Sequence, residues 1–267
     1  GYDPVHGRVG DYQPWDYLGG VEPFRRAIRP IQNAGIPVGL YFEGYLVDPS
    51  SEVGQAHGEE WQLLTSEGEP YSVFPPNHHL CPHVEEWRQY LAGTVSRGED
   101  ETDGDGYYVD EVGFATTYTC YNEAHDHDIP APPLRGEQAL MERVGDSLPN
   151  SRVTYTEETP SDVSSQHQDG SFTYAVGQTL EALSPTRINL TRFALPGFKT
   201  FEIIVVDEPL RDDLEAVKAV FFNGEGLWLE GPSTDPEWFS PNLRGLISHT
   251  HEVLRAHRRA FMSLAPE

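Results

Sequence analysis

The stretch GYYVDEVGF, Gly106 to Phe114, decides how the chain reads. Tyr107, Tyr108 and Val109 form a short β-prone apolar run. It leaves a turn-forming Asp103-Gly104-Asp105-Gly106 segment and ends in two carboxylates, Asp110 and Glu111. A strand covered on both faces carries apolar residues to its end. Acids at its C-terminal tip put charge at the mouth of a sheet or barrel, where α/β enzymes place their chemistry. Taken alone, Asp110 would serve equally well as a helix cap or a partner in a buried ion pair.

Outward from this run, helical and extended patterns alternate. Val21 to Ala34 has apolar residues at helical spacing and stops at Gly35. Ile36 to Tyr45 is an extended apolar run containing Glu43. Val84 to Val95 reads as a helix, with Trp87, Leu91 and Val95 on one face. Arg135 to Ser147 is a second such helix, stopped by Pro149-Asn150, and Arg152 to Thr156 is a strand running into Glu157 and Glu158. Beyond it, Ile188–Phe193, Thr200–Val206 and Gly226–Leu229 read as strands, and Leu214–Phe222 and Leu243–Phe261 as helices. Strands alternating with helices predict a parallel sheet with helical crossovers. No linker or low-complexity tract divides the chain, so residues 1–267 read as a single (β/α)8 TIM-type barrel domain. About five or six strands can be read where a barrel has eight, so the first strand or strands are expected to be missing or hidden near Tyr2–Trp15.

Three successive predicted strands end in acid: Glu43, then Asp110-Glu111, then Glu157-Glu158. Parallel strands of one barrel all end on one face, so these carboxylates converge on one pocket. Glycoside hydrolysis uses such a pair, one carboxylate attacking the sugar and the other protonating the leaving oxygen. Asp110, short and first beyond the apolar run, is the expected nucleophile. Glu157, with the longer reach, is the expected acid/base. Glu43, Tyr41, Tyr45, Glu111, Glu158, His125, His127 and Arg192 are the candidate substrate contacts. Trp15, Tyr17 and Trp61 are further candidates for stacking on sugar rings.

Composition bounds the partners. The formal net charge is −25, from 43 acidic and 18 basic residues, which rules against nucleic acid. Only Lys199 and Lys218 are lysines, and the acids are spread along the chain. A dispersed acidic surface with little lysine is expected of a halophilic protein, whose self-repulsion is screened by salt. No apolar run is long enough to span a membrane as a helix. The chain opens at Gly1-Tyr2-Asp3-Pro4 without methionine, which reads as a processed or trimmed start and leaves localisation open, secretion included. Cys81 and Cys120 set no disulfide framework; they pair if their loops meet, or both remain buried thiols. No cofactor is expected. Glu123, Asp126 and Asp128 lie beside His125 and His127, but the spacing fits no zinc or calcium pattern, and the metal expectation is none.

The ordered segments CPHVEEWRQYL (81–91), DGYYVDEVGF (105–114), CYNEAHDH (120–127) and VTYTEETPSDV (153–163) carry a resemblance. They are similar to a poorly characterised group of bacterial and archaeal glycosidase-like (β/α)8 proteins. These are related to the α-amylase superfamily and to endo-α-N-acetylgalactosaminidases. The resemblance covers Gly19 to Val163 best. It implies an Asp nucleophile at the end of strand four and a Glu acid/base at the end of strand five, the positions of Asp110 and Glu157. It also implies retention of configuration at an α-linked sugar or oligosaccharide. The chain departs from the group in showing neither its first barrel strands nor its accessory β domains. The competing expectation is a catalytically silent barrel that binds carbohydrate. A third is a metal-dependent hydrolase using His125, His127 and the acids.

Overall fold

The computed structural model describes residues 9–13, 19–112, 118–148, 153–157, 163–173, 194–195, 198–206, 208–210, 214–223, 225–230 and 235–256. They fall into two compact units, Gly1–Asp169 and Gly170–Glu267. Both are α/β, with parallel strands and helices. The predicted strand Ile188–Phe193 and the end of the helix predicted to Phe261 lie outside the described residues.

In the first unit, β1 (Gly39–Glu43), β4 (Gly106–Asp110) and β5 (Val153–Glu157) run parallel and adjacent, with β4 in the middle. Between β1 and β4 the chain makes a small antiparallel pair, β2 (Leu46–Val47) with β3 (His78–His79), and helix α2 (Glu52–Trp61). Helices α1 (Val21–Asn33), α3 (Glu85–Thr102) and α4 (Leu134–Ser147) connect or precede the strands. The β-prone run predicted from GYYVDEVGF is therefore the middle strand of these three, and four of its five residues are buried.

The Asp/Gly turn before β4 sets its register. Asp103 closes α3 in the left-handed region (φ 57°), a conformation Asp tolerates better than most residues. Asp105 then accepts from Val38 N (2.8 Å) and Gln32 Nε2 (2.9 Å), while its own N–H donates to Val38 O (2.8 Å). The starts of β1 and β4 are thus clamped, with the end of α1 tied to the same carboxylate. From that clamp the ladder runs Gly39 beside Gly106 through to Glu43 beside Asp110. It extends one step further: Gly44 N donates to Asp110 O (3.1 Å). A Cβ on residue 44 would come within 2.9 Å of that same oxygen and 2.5 Å of Val112 Cγ2, so glycine is required by close approach.

The core of this unit lies between the strands and α3 and α4. Trp87, Leu91 and Val95, the stripe read from sequence, are fully buried, and so are Leu140, Met141 and Val144 of α4. Trp87 Nε1 donates to Gly44 O (3.2 Å), so the indole polar atom is satisfied as its ring is buried. Glu85, at the start of α3, pairs with Arg88 and with Arg143 of α4.

In the second unit, β6 (Gly170–Thr173), β7 (Lys199–Val205) and β8 (Gly226–Glu230) are parallel and adjacent. Helix α5 (Leu214–Asn223) joins β7 to β8, the crossover that parallel neighbours require. Helix α6 (Pro241–Ala256) follows. Ile204, Val206, Val217, Val220 and Leu243 form this unit's buried cluster. Among the described residues no helix is long and apolar enough to cross a membrane.

Candidate active site at the strand ends

In a parallel pair, residues two apart on one strand share a face with their partners on the next. Tyr41 sits beside Tyr108 and Glu43 beside Asp110, so four polar-tipped side chains form a block at the C-terminal ends of β1 and β4. The two tyrosine rings are 5.5 Å apart. On β5, Thr156 is the partner of Val109, so Glu157 follows at the register level of Asp110. Three consecutive neighbours in the sheet therefore end in a carboxyl residue.

Asp110 is half-buried and held by three donors. Tyr41 Oη donates to Oδ2 (2.5 Å), Tyr108 Oη to Oδ1 (2.7 Å) and Glu111 N to Oδ1 (2.9 Å). The Glu111 backbone is left-handed (φ 61°), a conformation that costs a non-glycine residue about 1–3 kcal/mol. Strain therefore sits one residue past Asp110, in the peptide that aims an N–H at its carboxylate.

Glu43 is 3% exposed. Its Oε1 accepts from Tyr45 N (3.1 Å), its Oε2 lies 3.1 Å from Tyr41 Oη, and its own N–H donates to Tyr12 Oη (2.6 Å). Burial pushes its carboxyl well above the ordinary range, and the nearby charges of Asp110 and Glu111 push it further. Burial, then Glu43 and Asp110, likewise push the Tyr41 phenol upward, so Tyr41 stays a neutral donor. One phenolic proton cannot serve two carboxylates. The shorter contact directs it to Asp110, and the upward shift of Glu43 favours its protonated form, which can donate to the Tyr41 oxygen. Glu43, Tyr41 and Asp110 form a hydrogen-bonded relay.

The relay has a consequence for stability. Glu43 keeps its proton to a higher pH in the folded chain than in the unfolded chain. Its stabilising share is full below the unfolded value of about 4.3 and is lost as pH rises through the higher folded value. Glu43→Gln removes this titration. Near neutral pH the variant is expected to be more stable than the parent by about 1 kcal/mol, the scale of a favourable point substitution. In urea unfolding followed across pH, the gap should close toward pH 4; a gap independent of pH would refute the assignment.

The remaining sequence candidates are placed differently. Tyr45 is fully buried; its hydroxyl donates to Glu137 Oε1 of α4 (2.7 Å). Glu111 is 4% exposed, with Oε2 3.9 Å from His79 Nε2. His79 is walled by Tyr118, Tyr45 and Tyr71, and burial pushes its pKa down to about 3. The contact is thus with a neutral imidazole and is no ion pair. His125 and His127 turn their rings toward Cys120 and Cys81. Trp61 packs in the core beside Trp87 and Tyr90, with His57 stacked on it at 4.3 Å. The side chain of Glu157, and Glu158, Arg192, Trp15 and Tyr17 entirely, lie outside the described residues. Two site residues had gone unnoticed in the sequence. Tyr108 carried a signal, since it lies two before Asp110 on the same strand face. Tyr12 carried none, because its reach to Glu43 crosses from a distant segment.

Residues 3–131 match the family described as Domain of unknown function (DUF6259). The chain is 28% identical over 109 residues to a Bacteroides thetaiotaomicron protein named "Putative glycoside hydrolase", covering 39% of this chain and 16% of that protein. Among solved structures, the α-galactosidase of Lactobacillus brevis superposes with a TM-score of 0.65 at 17% identity, covering 92% of this chain and 33% of that one. The α-galactosidase of Thermus thermophilus, determined in complex with stachyose, superposes with a TM-score of 0.60 at 19% identity, covering 91% of this chain and 55% of that one. The chain thus spans about a sixth of its curated relative and between a third and just over half of these structures. At these identities the superpositions establish a shared fold. The resemblance to glycosidase-like proteins read from the sequence is supported by both kinds of relative.

Proposed function

We propose that this chain is the catalytic core of a retaining glycoside hydrolase acting on an α-linked sugar or oligosaccharide. The observation that carries the reading is the register of β1, β4 and β5, which brings Glu43, Asp110 and Glu157 to one end of three neighbouring parallel strands. The fold shared with two α-galactosidases supports a (β/α)8 barrel, whose strand ends form the site. The strongly negative charge fits a neutral carbohydrate better than a polyanion.

In this reading an Asp110 oxygen attacks the anomeric carbon while the bond to the leaving oxygen breaks and Glu157 gives that oxygen its proton. Glu157 then takes a proton from water, and the water oxygen attacks the same carbon and frees Asp110. Tyr41 and Tyr108 aim the attacking carboxylate. Glu43, protonated and buried, keeps Tyr41 directed at Asp110 instead of adding a second negative charge. Retention requires the two reacting carboxyl groups about 5–5.5 Å apart, a spacing that neighbouring strands about 4.8 Å apart can provide.

The test is a screen of aryl α- and β-glycosides at low and high salt, with the first-formed sugar followed by proton NMR. The expected result is turnover of an α-glycoside that releases the α anomer first, with activity rising at high salt as the acidic surface is screened. A β anomer formed first from an α-glycoside would show inversion and remove Asp110 from the nucleophile role. Sugar binding without turnover of any glycoside would favour the silent carbohydrate-binding barrel.

A further inference from the structure

Away from the strand ends, four side chains from two distant segments meet in one cluster. Cys81 follows β3, and Cys120, His125 and His127 belong to the loop between β4 and α4. Their Sγ and ring-nitrogen atoms all lie within 4.8 Å of one another. Both cysteines are free thiols and fully buried. We propose that Cys81, Cys120, His125 and His127 form a structural zinc site that clips the loop after β4 to the segment after β3.

The distances fit such an ion. Four ligands at tetrahedral angles, with Zn–S about 2.3 Å and Zn–N about 2.0–2.1 Å, place each sulfur roughly 3.5 Å from each nitrogen. Cys81 Sγ lies 3.5 Å from His127 Nε2, and Cys120 Sγ lies 3.5 Å from His125 Nδ1. A thiol–imidazole hydrogen bond would account for either pair alone. It would not account for both pairs converging on one point.

The outer contacts favour the same reading. A zinc-bound histidine usually donates its other ring N–H to a carbonyl or carboxylate, which fixes the tautomer and turns the bare nitrogen to the metal. His125 places Nε2 3.0 Å from Glu60 O, leaving Nδ1 for the cluster. His127 places Nδ1 3.0 Å from Asp128 O, leaving Nε2 for the cluster. The two rings use opposite nitrogens, and in both the inward one faces a sulfur. Asn122 N donates to Cys120 Sγ (3.4 Å), a contact that stabilises a thiolate. Two thiolates and two neutral imidazoles cancel the charge of one divalent cation, so the burial costs little once the ion is in place. The mixed sulfur and nitrogen donors select zinc over the oxygen-seeking magnesium and calcium.

All four positions are filled by protein, which is the mark of a structural site; a catalytic zinc keeps one position open. Its place in the fold shows what it would hold. Cys120 is bridged to Ala131 by two backbone hydrogen bonds of 2.9 Å, at the end of the loop leading into α4. Cys81 lies two residues past His79, whose ring faces Glu111, the neighbour of Asp110. The ion would fasten the loop that follows β4 to the segment that follows β3, two residues past His79.

The experiment uses the whole chain, purified with reductant, supplied with Zn2+ and dialysed against metal-free buffer. Elemental analysis is expected to find about one zinc per chain, retained until a strong chelator is added. Replacement by Co2+ should give visible bands of tetrahedral intensity and thiolate charge-transfer absorption in the near ultraviolet. Both should be lost in Cys81→Ser/Cys120→Ser. The Co2+ spectrum of the parent tests the site even if that variant does not fold. Metal-free protein after Zn2+ treatment, with no Co2+ spectrum, would overturn the proposal. So would an intact mass lighter by two hydrogens in protein isolated without reductant and free of metal, which would show a Cys81–Cys120 disulfide instead. None of these readouts depends on glycosidase activity.

Discussion

Asp110→Asn is expected to lower kcat/KM on a responsive aryl α-glycoside by roughly 10⁴-fold or more, the scale seen when one member of a covalent catalytic group is removed. At about 1.36 kcal/mol per tenfold, that is on the order of 5 kcal/mol of transition-state stabilisation. The amide has nearly the shape of the carboxylate, so its carbonyl oxygen still accepts from Tyr41 or Tyr108. It does not attack an anomeric carbon. Since Asp110 is half-buried and three donors point at it, the amide also faces one donor with an N–H. A stability loss of about 1–3 kcal/mol from that mismatch is expected alongside. Steady-state kinetics and urea unfolding of the same preparation separate the two effects. An Asp110 that only supported the fold would lose stability while the folded fraction kept its turnover.

Glu157→Gln is expected to lower turnover by about 10²- to 10⁴-fold, the range for loss of general acid–base help. This loss depends on the leaving group. Glycosides of basic alcohols need their departing oxygen protonated and suffer most. Those of acidic phenols form the glycosyl-enzyme almost normally and then stall, because no base activates water. Added azide needs no deprotonation and should restore turnover as a glycosyl azide. The alkaline limb of the pH profile, which reports loss of the acid's proton, should disappear. An equal loss on every leaving group, without azide rescue, would assign the acid/base role elsewhere and leave Asp110 unaffected.

Much of this was legible in the chain because it rests on local rules. GYYVDEVGF is β-prone, apolar and bounded by a Gly/Asp turn, and it forms strand β4. Trp87, Leu91 and Val95 repeat at helical spacing and are buried as that spacing requires. Helix α2 was missed for an equally local reason. Gly54 and Gly58 count against a helix in any propensity scale, yet both are needed for packing. A Cβ at 54 would stand 2.0 Å from Asp48 O, and one at 58 would stand 2.3 Å from the His78 ring. Ser51, whose hydroxyl accepts from Gly54 N (2.9 Å), and Asp11, which accepts from Glu52 N (2.7 Å), supply the start that the interior sequence does not advertise.

The sequence by itself determined which strands end in acid, because that is a statement about neighbours along the chain. Net charge, which needs no coordinates, argues against a nucleic-acid partner. Only the tertiary structure decided that β1, β4 and β5 are adjacent and that Glu43 stands beside Asp110. It alone decided that Tyr41 must choose between two carboxylates. The same holds for Cys81, which lies 39 positions before Cys120 yet shares its pocket. Register, burial and the bond from Tyr41 to Asp110 arise from contacts between residues far apart in sequence, and no short window along the chain contains both partners.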